Sequence, residues 1–405
     1  MFGLLKMRTT RFLHRTDLTK PRFVLYWPMN VLHIVHLKKD VELAMSFSRL
    51  GYKSIVIVGK VGFKHQNPAN GLQTILPQVL QTGYIRDGTK FNVKMYPFEI
   101  LRSTFLLTTF SPELVLVIHA WVIAPLVIFN YKATSFLHRI LRKRRPQTKF
   151  VLKMDSDGTV FAHGPHKYFW RLVLMANLTV FDFVVIETTC GAEHVRRLFP
   201  HLAKRKLRII PSGYSLRLYH PGPADHEERE PTILTVARIV RSKGIDSLIR
   251  AFCKVHLRHP EWSIRIVGRI ESVAYFQEIL SLVRENNLEQ SAVFLGEITE
   301  EQLYHEYTNS SIFCLPSRSE GFPAARLEAA AMGLPVVTTK AGCGRDLEDL
   351  GAIVGPIDDV EWLADALTEL IENQEARLTH ASSLQKHILS WDDVARKVIK
   401  IVSER

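Results

Sequence analysis

LPSRSEGFPAARLEAAAMGLPVV, residues 315–337, holds a strand end, a polar loop, a helix and the start of a second strand. Leu315 closes the apolar run SIFCL, Pro323 suits a first helical turn, and Gly333 followed by Pro335 ends the helix before PVVTT begins. Strand, helix and strand in that order form the unit of a parallel α/β sheet. The helix AARLEAAAM is apolar nearly all round, the pattern of a helix covered on every side. Glu328 stands in its middle, and Arg326, two residues away, lies on a different face. The sequence therefore predicts a buried carboxylate without a local partner, a costly arrangement that a polar ligand such as a ribose diol would relieve. Glu320 and the backbone amides of Gly321 and Phe322 precede the helix, where orphan N–H groups and the positive dipole end favour phosphate or sugar oxygens. A capping carboxylate plus an incidental buried one is the plainer reading of the same pair. A hydrolytic dyad fits less well: eight residues at ~1.5 Å each give about 12 Å along a helix, beyond the roughly 5 to 9.5 Å that such carboxylates use.

The same alternation extends both ways. Apolar runs begin at Phe23, Lys53, Leu114, Lys149, Phe183 and Leu207 in the first half, and at Thr232, Ser263, Ala292, Ser311 and Pro335 in the second, with helical patterns between them. Both halves read as doubly wound sheets, and a chain of 405 residues exceeds the ~250 to 300 that one core serves. PGPADHEEREP, residues 221–231, has three prolines and five charges without apolar periodicity and reads as a linker. GFKHQNPANGLQTILPQ, from Gly62, reads as a long loop. Open α/β sheets take ligands at the carboxyl ends of their strands, so the expected site is a cleft between the halves.

With 46% hydrophobic and 23% charged residues the chain is globular. Its net charge of +13 is unevenly spread: residues 1–220 carry 33 Lys+Arg against 11 Asp+Glu, and residues 221–405 carry 20 against 29. A basic half suits an anionic partner. The densest run, HRILRKRRPQTK, contains Arg142, Lys143, Arg144 and Arg145 and reads either as a solvated helix end or as a contact for an anionic membrane surface. No nucleic-acid recognition signature accompanies it. The longest apolar stretch, residues 114–129, is sixteen long and interrupted by His119 and Pro125, short of the ~20 residues a spanning helix needs. Cys190, Cys253, Cys314 and Cys343 form no CxxC pair and read as reduced, buried thiols in a cytoplasmic protein. Residues 1–22 read as a basic tail, with a transit peptide as the other reading.

TILTVARIVRSKGIDSLIRAF, residues 232–252, is a strand, a loop with two separated cations, and a helix opened by Gly244. Arg238 leaves the strand end and Lys243 precedes the helix, so both can aim at a phosphate, one as a fork and one as a point charge; solvated loop cations are the plainer reading. Neither a Walker loop nor a GxGxxG after a strand is present.

Arg238, Lys243 and the E-x7-E spacing from Glu320 to Glu328, in that order, resemble the GT-B retaining glycosyltransferases of family 4. IIPSGYSLRLYHP from Ile209 and SWDDVARKVIKI from Ser390 are similar to the segments that end that family's first domain and its chain. The resemblance implies an α/β GT-B fold, two Rossmann-like doubly wound domains facing across a cleft: an acceptor domain over residues 23–212, a donor domain over 213–387, and a terminal helix over 388–405 crossing back. It implies Arg238 and Lys243 on the donor diphosphate, Glu328 on the ribose hydroxyls, Glu320 on donor-sugar hydroxyls, and Gly321, Phe322 and Pro323 cradling sugar and phosphate by backbone. Gly268 falls at a donor-binding glycine, and His119 matches the active-site histidine facing the sugar. The implied reaction moves a hexose from a nucleotide-diphosphate sugar to an acceptor hydroxyl with retention, without a metal or other cofactor. The implied acceptor is lipid-linked or a membrane-surface glycan, met at the cytoplasmic membrane face.

Departures accompany the likeness. Pro28, Met29, Asn30 and Val31 stand where the family carries paired glycines, Arg269 follows Gly268, and Asp346 stands near the usual glutamate. Asp155 and Asp157 spell DxD, which reads as an acceptor contact, a divalent-metal pair or plain loop structure. Two other classes stay open at this point: a nucleotide-sugar epimerase on the same fold, and a catalytically silent nucleotide-sugar-binding subunit.

Overall fold

The strand candidates all form, in a computed structural model that describes residues 22–33, 39–62, 78–81, 107, 112–118, 124–140, 148–154, 166–215, 229–320, 324–342 and 344–403. The first sheet comprises β1 (Arg22–His33), β2 (Lys53–Gly62), β3 (Gln78–Gln81), β4 (Leu114–Ile118), β5 (Lys149–Met154), β6 (Phe183–Ile186) and β7 (Leu207–Ile209), in spatial order β3-β2-β1-β4-β5-β6-β7. After β8 (Gly213–Tyr214) come β9 (Thr232–Val236), β10 (Ser263–Val267), β11 (Ala292–Gly296), β12 (Ile312–Leu315), β13 (Val336–Thr339) and β14 (Ile353–Gly355), in order β11-β10-β9-β12-β13-β14. Finally β15 (Leu389–Ser390) pairs with β8. The register pairings described are parallel, as βαβ crossovers require.

Each large sheet starts at its centre, builds outward on one side, then returns to the other side of its first strand. The order reverses between β1 and β4 in one sheet and between β9 and β12 in the other, which is where such sheets bind ligands. Their central strands are covered on both faces: Leu114 to Val117 and Ile312 to Leu315 are all buried, so they read as unbroken apolar runs. The helix Ile245–His256 supplies part of that cover by turning Ile245, Leu248, Ile249, Phe252 and Val255 inward at helical spacing.

By its internal packing the chain divides into two compact units, residues 1–152 with 179–182 and residues 153–178 with 183–405. The tail, the long loop after Gly62 and most of the linker lie outside the described residues. Arg229, at the linker's end, donates to the carbonyls of Tyr307, Thr308, Ser310 and Met332 and so closes two helix ends. Burial lowers its pKa to about 10. Cys190 corrects the expectation of buried thiols: it is exposed, because it falls on the outward side of the first turn of helix Thr189–Leu198. Cys253 is half-buried, Cys314 is buried, and Cys343 lies outside the described residues. Among the described residues no helix is long and apolar enough to cross a membrane.

The last helix, Trp391–Ser403, is tied down at its start. Ser390 and Asp393 bond reciprocally, Trp391 is buried beside the Lys153 ammonium, and Lys153 itself forms a buried pair with Glu187 at 2.6 Å. Trp391→Ala is expected to cost ~3–5 kcal/mol, read as a lower urea midpoint of unfolding; an unchanged midpoint would show that this anchor carries no stability.

Candidate functional site

The loops after β9 and β12 face each other across the second sheet's reversal point, and glycine lets them touch. Gly244 adopts φ +66°, and a Cβ there would lie 2.0 Å from the Pro316 carbonyl oxygen. Only glycine satisfies both the left-handed backbone and the contact. The Arg318 and Ser319 amides donate to the Ser242 carbonyl at 2.8 and 3.3 Å. Beneath them the hydroxyl of Thr339, at the end of β13, donates to the Ser317 carbonyl at 2.5 Å. One strand further, Gly268 at φ +145° would place a Cβ 1.9 Å from the Ala237 carbonyl oxygen, so it too must be glycine.

This frame brings Lys243 and Glu320 together. The Lys243 ammonium donates to Glu320 Oε1 at 2.5 Å, with side-chain exposures of 13% and 6%, and Ser317 Oγ donates to the same oxygen at 2.7 Å. The pair is well shielded from solvent, which strengthens it relative to a surface pair. Arg238 is not part of it: its guanidinium is exposed and pairs with Glu271 in the loop after β10. Glu328 departs from the sequence expectation. It is half-buried, and the buried Tyr307 donates to its Oε2 at 3.0 Å. Tyr307 lies near the end of helix Glu300–Asn309, twenty-one residues before Glu328. Arg326 is the fully buried cation of helix Ala324–Ala331.

Arg318 was not singled out from the sequence, yet it locks the two loops. Its guanidinium forks onto Asp246 with two contacts of 2.8 Å, reaches Asp358 at 2.7 Å and donates to the Arg241 carbonyl at 2.7 Å. Tyr275 donates to Asp246 and accepts from its amide. Burial alone would raise the Asp246 pKa, but the bonds from Arg318 and Tyr275 outweigh it and hold the carboxyl below its usual range. Burial, then the bond to Asp246, pushes the Tyr275 phenol up to about 12. A signal was present: a lone Arg beside Glu320 and a lone acid in the first turn of the facing helix.

His119, Asp155, Asp157, Gly321, Phe322, Pro323 and the cluster Arg142, Lys143, Arg144, Arg145 lie outside the described residues. Asp346, noted as a departure, accepts from the Thr189 amide and hydroxyl at 3.0 and 2.6 Å.

Comparison with known proteins agrees with this architecture. Residues 220–386 match the sequence family described as Glycosyl transferases group 1. An uncharacterized glycosyltransferase of Haemophilus influenzae is 29% identical over 42% of this chain and 47% of its own length. The lipopolysaccharide core biosynthesis mannosyltransferase LpcC of Rhizobium leguminosarum is 28% identical over 44% and 54%. The chain spans about half the length of these curated relatives. Among solved structures, sucrose-phosphate synthase from Thermosynechococcus elongatus superposes with a TM-score of 0.69 at 19% identity, covering 94% of this chain and 98% of that one. Anabaena HepE in complex with UDP and glucose gives 0.67 at 15% identity, covering 94% and 99%. The fold is GT-B, as in these solved structures, and residues 220–386 are similar to the group 1 glycosyl transferases.

Two outcomes follow from the Arg318 lock. Arg318→Lys cannot fork, and is expected to cost about 1–2 kcal/mol of stability. Because the Asp246 pKa is depressed on folding, its contribution is fully present above the unfolded carboxyl pKa of about 4 and is lost as pH falls through the folded value. Acid titrations of unfolding should therefore lose part of their slope in Asp246→Asn; parallel curves for wild type and variant would exclude Asp246 as a source of acid sensitivity.

Proposed function

We propose that the chain is a retaining family 4 glycosyltransferase that moves a hexose from a nucleotide-diphosphate sugar to an acceptor hydroxyl. The observation that carries this reading is the shielded Lys243–Glu320 pair at the reversal point of the second sheet. A cation and a carboxylate that hold each other at 2.5 Å are matched to a ligand presenting an anionic diphosphate next to sugar hydroxyls. The diphosphate competes for the ammonium, and the hydroxyls compensate the carboxylate. Arg238, tethered by the exposed Glu271, swings to the same phosphate groups. Glu328, oriented by Tyr307, receives the ribose diol, while Gly268, Gly321, Phe322 and Pro323 approach the donor by backbone.

In the reaction the two cations stabilise charge on the departing diphosphate as the glycosidic bond breaks, the electrostatic task that dominates such catalysis. The departing diphosphate takes the acceptor hydroxyl's proton on the same face, which retains the anomeric configuration. No metal or other cofactor is needed in this scheme. His119 faces the sugar from the first domain, residues 23–212, and Asp155 and Asp157 contact the acceptor. Residues 213–387 hold the donor, and residues 388–405 cross back to the first domain. The acceptor is lipid-linked or a surface glycan, and the basic first half, with Arg142, Lys143, Arg144 and Arg145, works at the cytoplasmic face of an anionic membrane.

Lys243→Ala is expected to cut turnover about a hundredfold or more, the scale of one lost electrostatic stabiliser, while EDTA leaves the wild type active. Loss of activity on chelation, restored by manganese, would transfer the role to Asp155 and Asp157. Calorimetric titration separates the glutamates: Glu328→Gln should weaken both nucleoside diphosphate and nucleotide sugar, whereas Glu320→Gln should spare the nucleotide and damage transfer. Equal nucleotide affinity in all three proteins would refute the ribose role.

A further inference from the structure

The helix Lys167–Val180, KYFWRLVLMANLTV, turns the wrong side outward for a helix in water. Its inner face is Leu174, Asn177 and Leu178. Its outer face carries Tyr168, Phe169, Leu172 and Met175, which are 68%, 52%, 61% and 43% exposed. These four positions fall within one side of the helix over two turns, about 10 Å along its axis. Two cations reach over the start of that side. Lys167 and Arg171 both lie over the Tyr168 ring, at 5.3 and 5.6 Å from its centroid, and the helix has no acidic residue.

We propose that this face inserts into the headgroup layer of an anionic lipid bilayer. The inference deepens the membrane part of the proposed function and does not depend on the donor chemistry. Three features select a bilayer over other occupants. The apolar side chains present on the order of 400 Å², about half of what each partner contributes to a stable protein–protein interface, whereas shallow insertion requires only one helix face. Aromatic and aliphatic residues between Lys and Arg form the pattern of helices lying in a membrane interface, the ring and alkyl groups in the acyl boundary and the cations among the phosphates. The sign of charge also agrees, since residues 1–220 carry 33 Lys+Arg against 11 Asp+Glu. Insertion supplies what the basic cluster alone lacks, an orientation: a diffuse positive surface meets a membrane at many angles, but one apolar face fixes which side lies down.

Co-sedimentation of the full chain with vesicles of phosphatidylcholine, with or without phosphatidylglycerol, tests the assignment. The informative variant is Phe169→Ser with Leu172→Ser, which leaves every charge in place. Wild type is expected to bind the anionic vesicles and not the neutral ones, and the double variant to bind at least tenfold more weakly. Both residues are more than half exposed, so the thermal midpoint and the nucleoside diphosphate affinity should stay at wild-type values. Tyr168→Gln with Met175→Gln repeats the test on the other half of the face should the first variant misfold. Equal binding by variants and wild type would show that charge alone holds the chain and would overturn the proposal, as would equal binding to neutral vesicles. A concentration-dependent dimer in sedimentation velocity that the variants abolish would assign the face to a second copy instead. A chain that binds vesicles as stated but no nucleotide would sink the donor reading and leave this one standing.

Discussion

A single missing methyl group sets the geometry on which the site depends. Because residue 244 is glycine, the turn after β9 comes within van der Waals contact of the Pro316 carbonyl, and the loops that start helices Ile245–His256 and Ala324–Ala331 share one small volume. Any larger side chain would force them apart, and the residues they carry would separate with them. The close approach then exposes the Ser242 carbonyl to two amides of the facing loop and lets Arg318 reach both Asp246 and the Arg241 carbonyl. Backbone contact, not side-chain packing, decides the distance between Lys243 and Glu320.

The electrostatics follow from that distance. Asp246, Asp358, Glu320 and Glu271 each meet a cation in the loops, yet the four pairs differ in solvent exposure. Arg318 is committed: its fork is bidentate and its pKa is raised, by the Asp246 bonds first and despite burial. Arg238 pairs at the surface, where such bonds contribute little and exchange readily. Lys243 lies between these extremes, shielded but held by a single carboxylate oxygen. A rigid Arg318 frame around two exchangeable cations is the division of labour that binding an anion requires, since a site that must reorganise its frame spends binding energy on ordering.

The fold was legible wherever a strand was long enough to be an unbroken apolar run. Leu114 to Val117 and Ser311 to Leu315 are buried throughout, and burial on both faces leaves no alternation to misread. Strands β8 and β15, two residues each, pair only because residues 389–390 return to residues 213–214, and nothing in two letters reports that. The helix at 324–331 was equally clear, but the environment of Glu328 was not, because its partner Tyr307 belongs to a different helix. Local spacing predicts local partners; it is silent on a hydroxyl brought in by tertiary packing. Lys243 read as a candidate phosphate ligand from its loop and Glu320 as a donor-sugar contact from the family resemblance, yet their mutual contact, seventy-seven residues apart, required the sheet order. Arg318 escaped notice for the same reason, since its partners Arg241, Asp246, Ser247 and Asp358 lie forty or more residues away along the chain.

In the proposed function the donor diphosphate lies against Lys243, beside the Gly244 turn and Glu320. A crystal structure of the full chain soaked with UDP or GDP tests it most directly. Density for the diphosphate is expected within hydrogen-bond distance of the Lys243 ammonium, with the Lys243–Glu320 contact lengthened and the Arg318–Asp246 fork unchanged. A nucleotide bound with its phosphate groups away from Lys243, or a fork that opens while the Lys243–Glu320 pair stays closed, would contradict it.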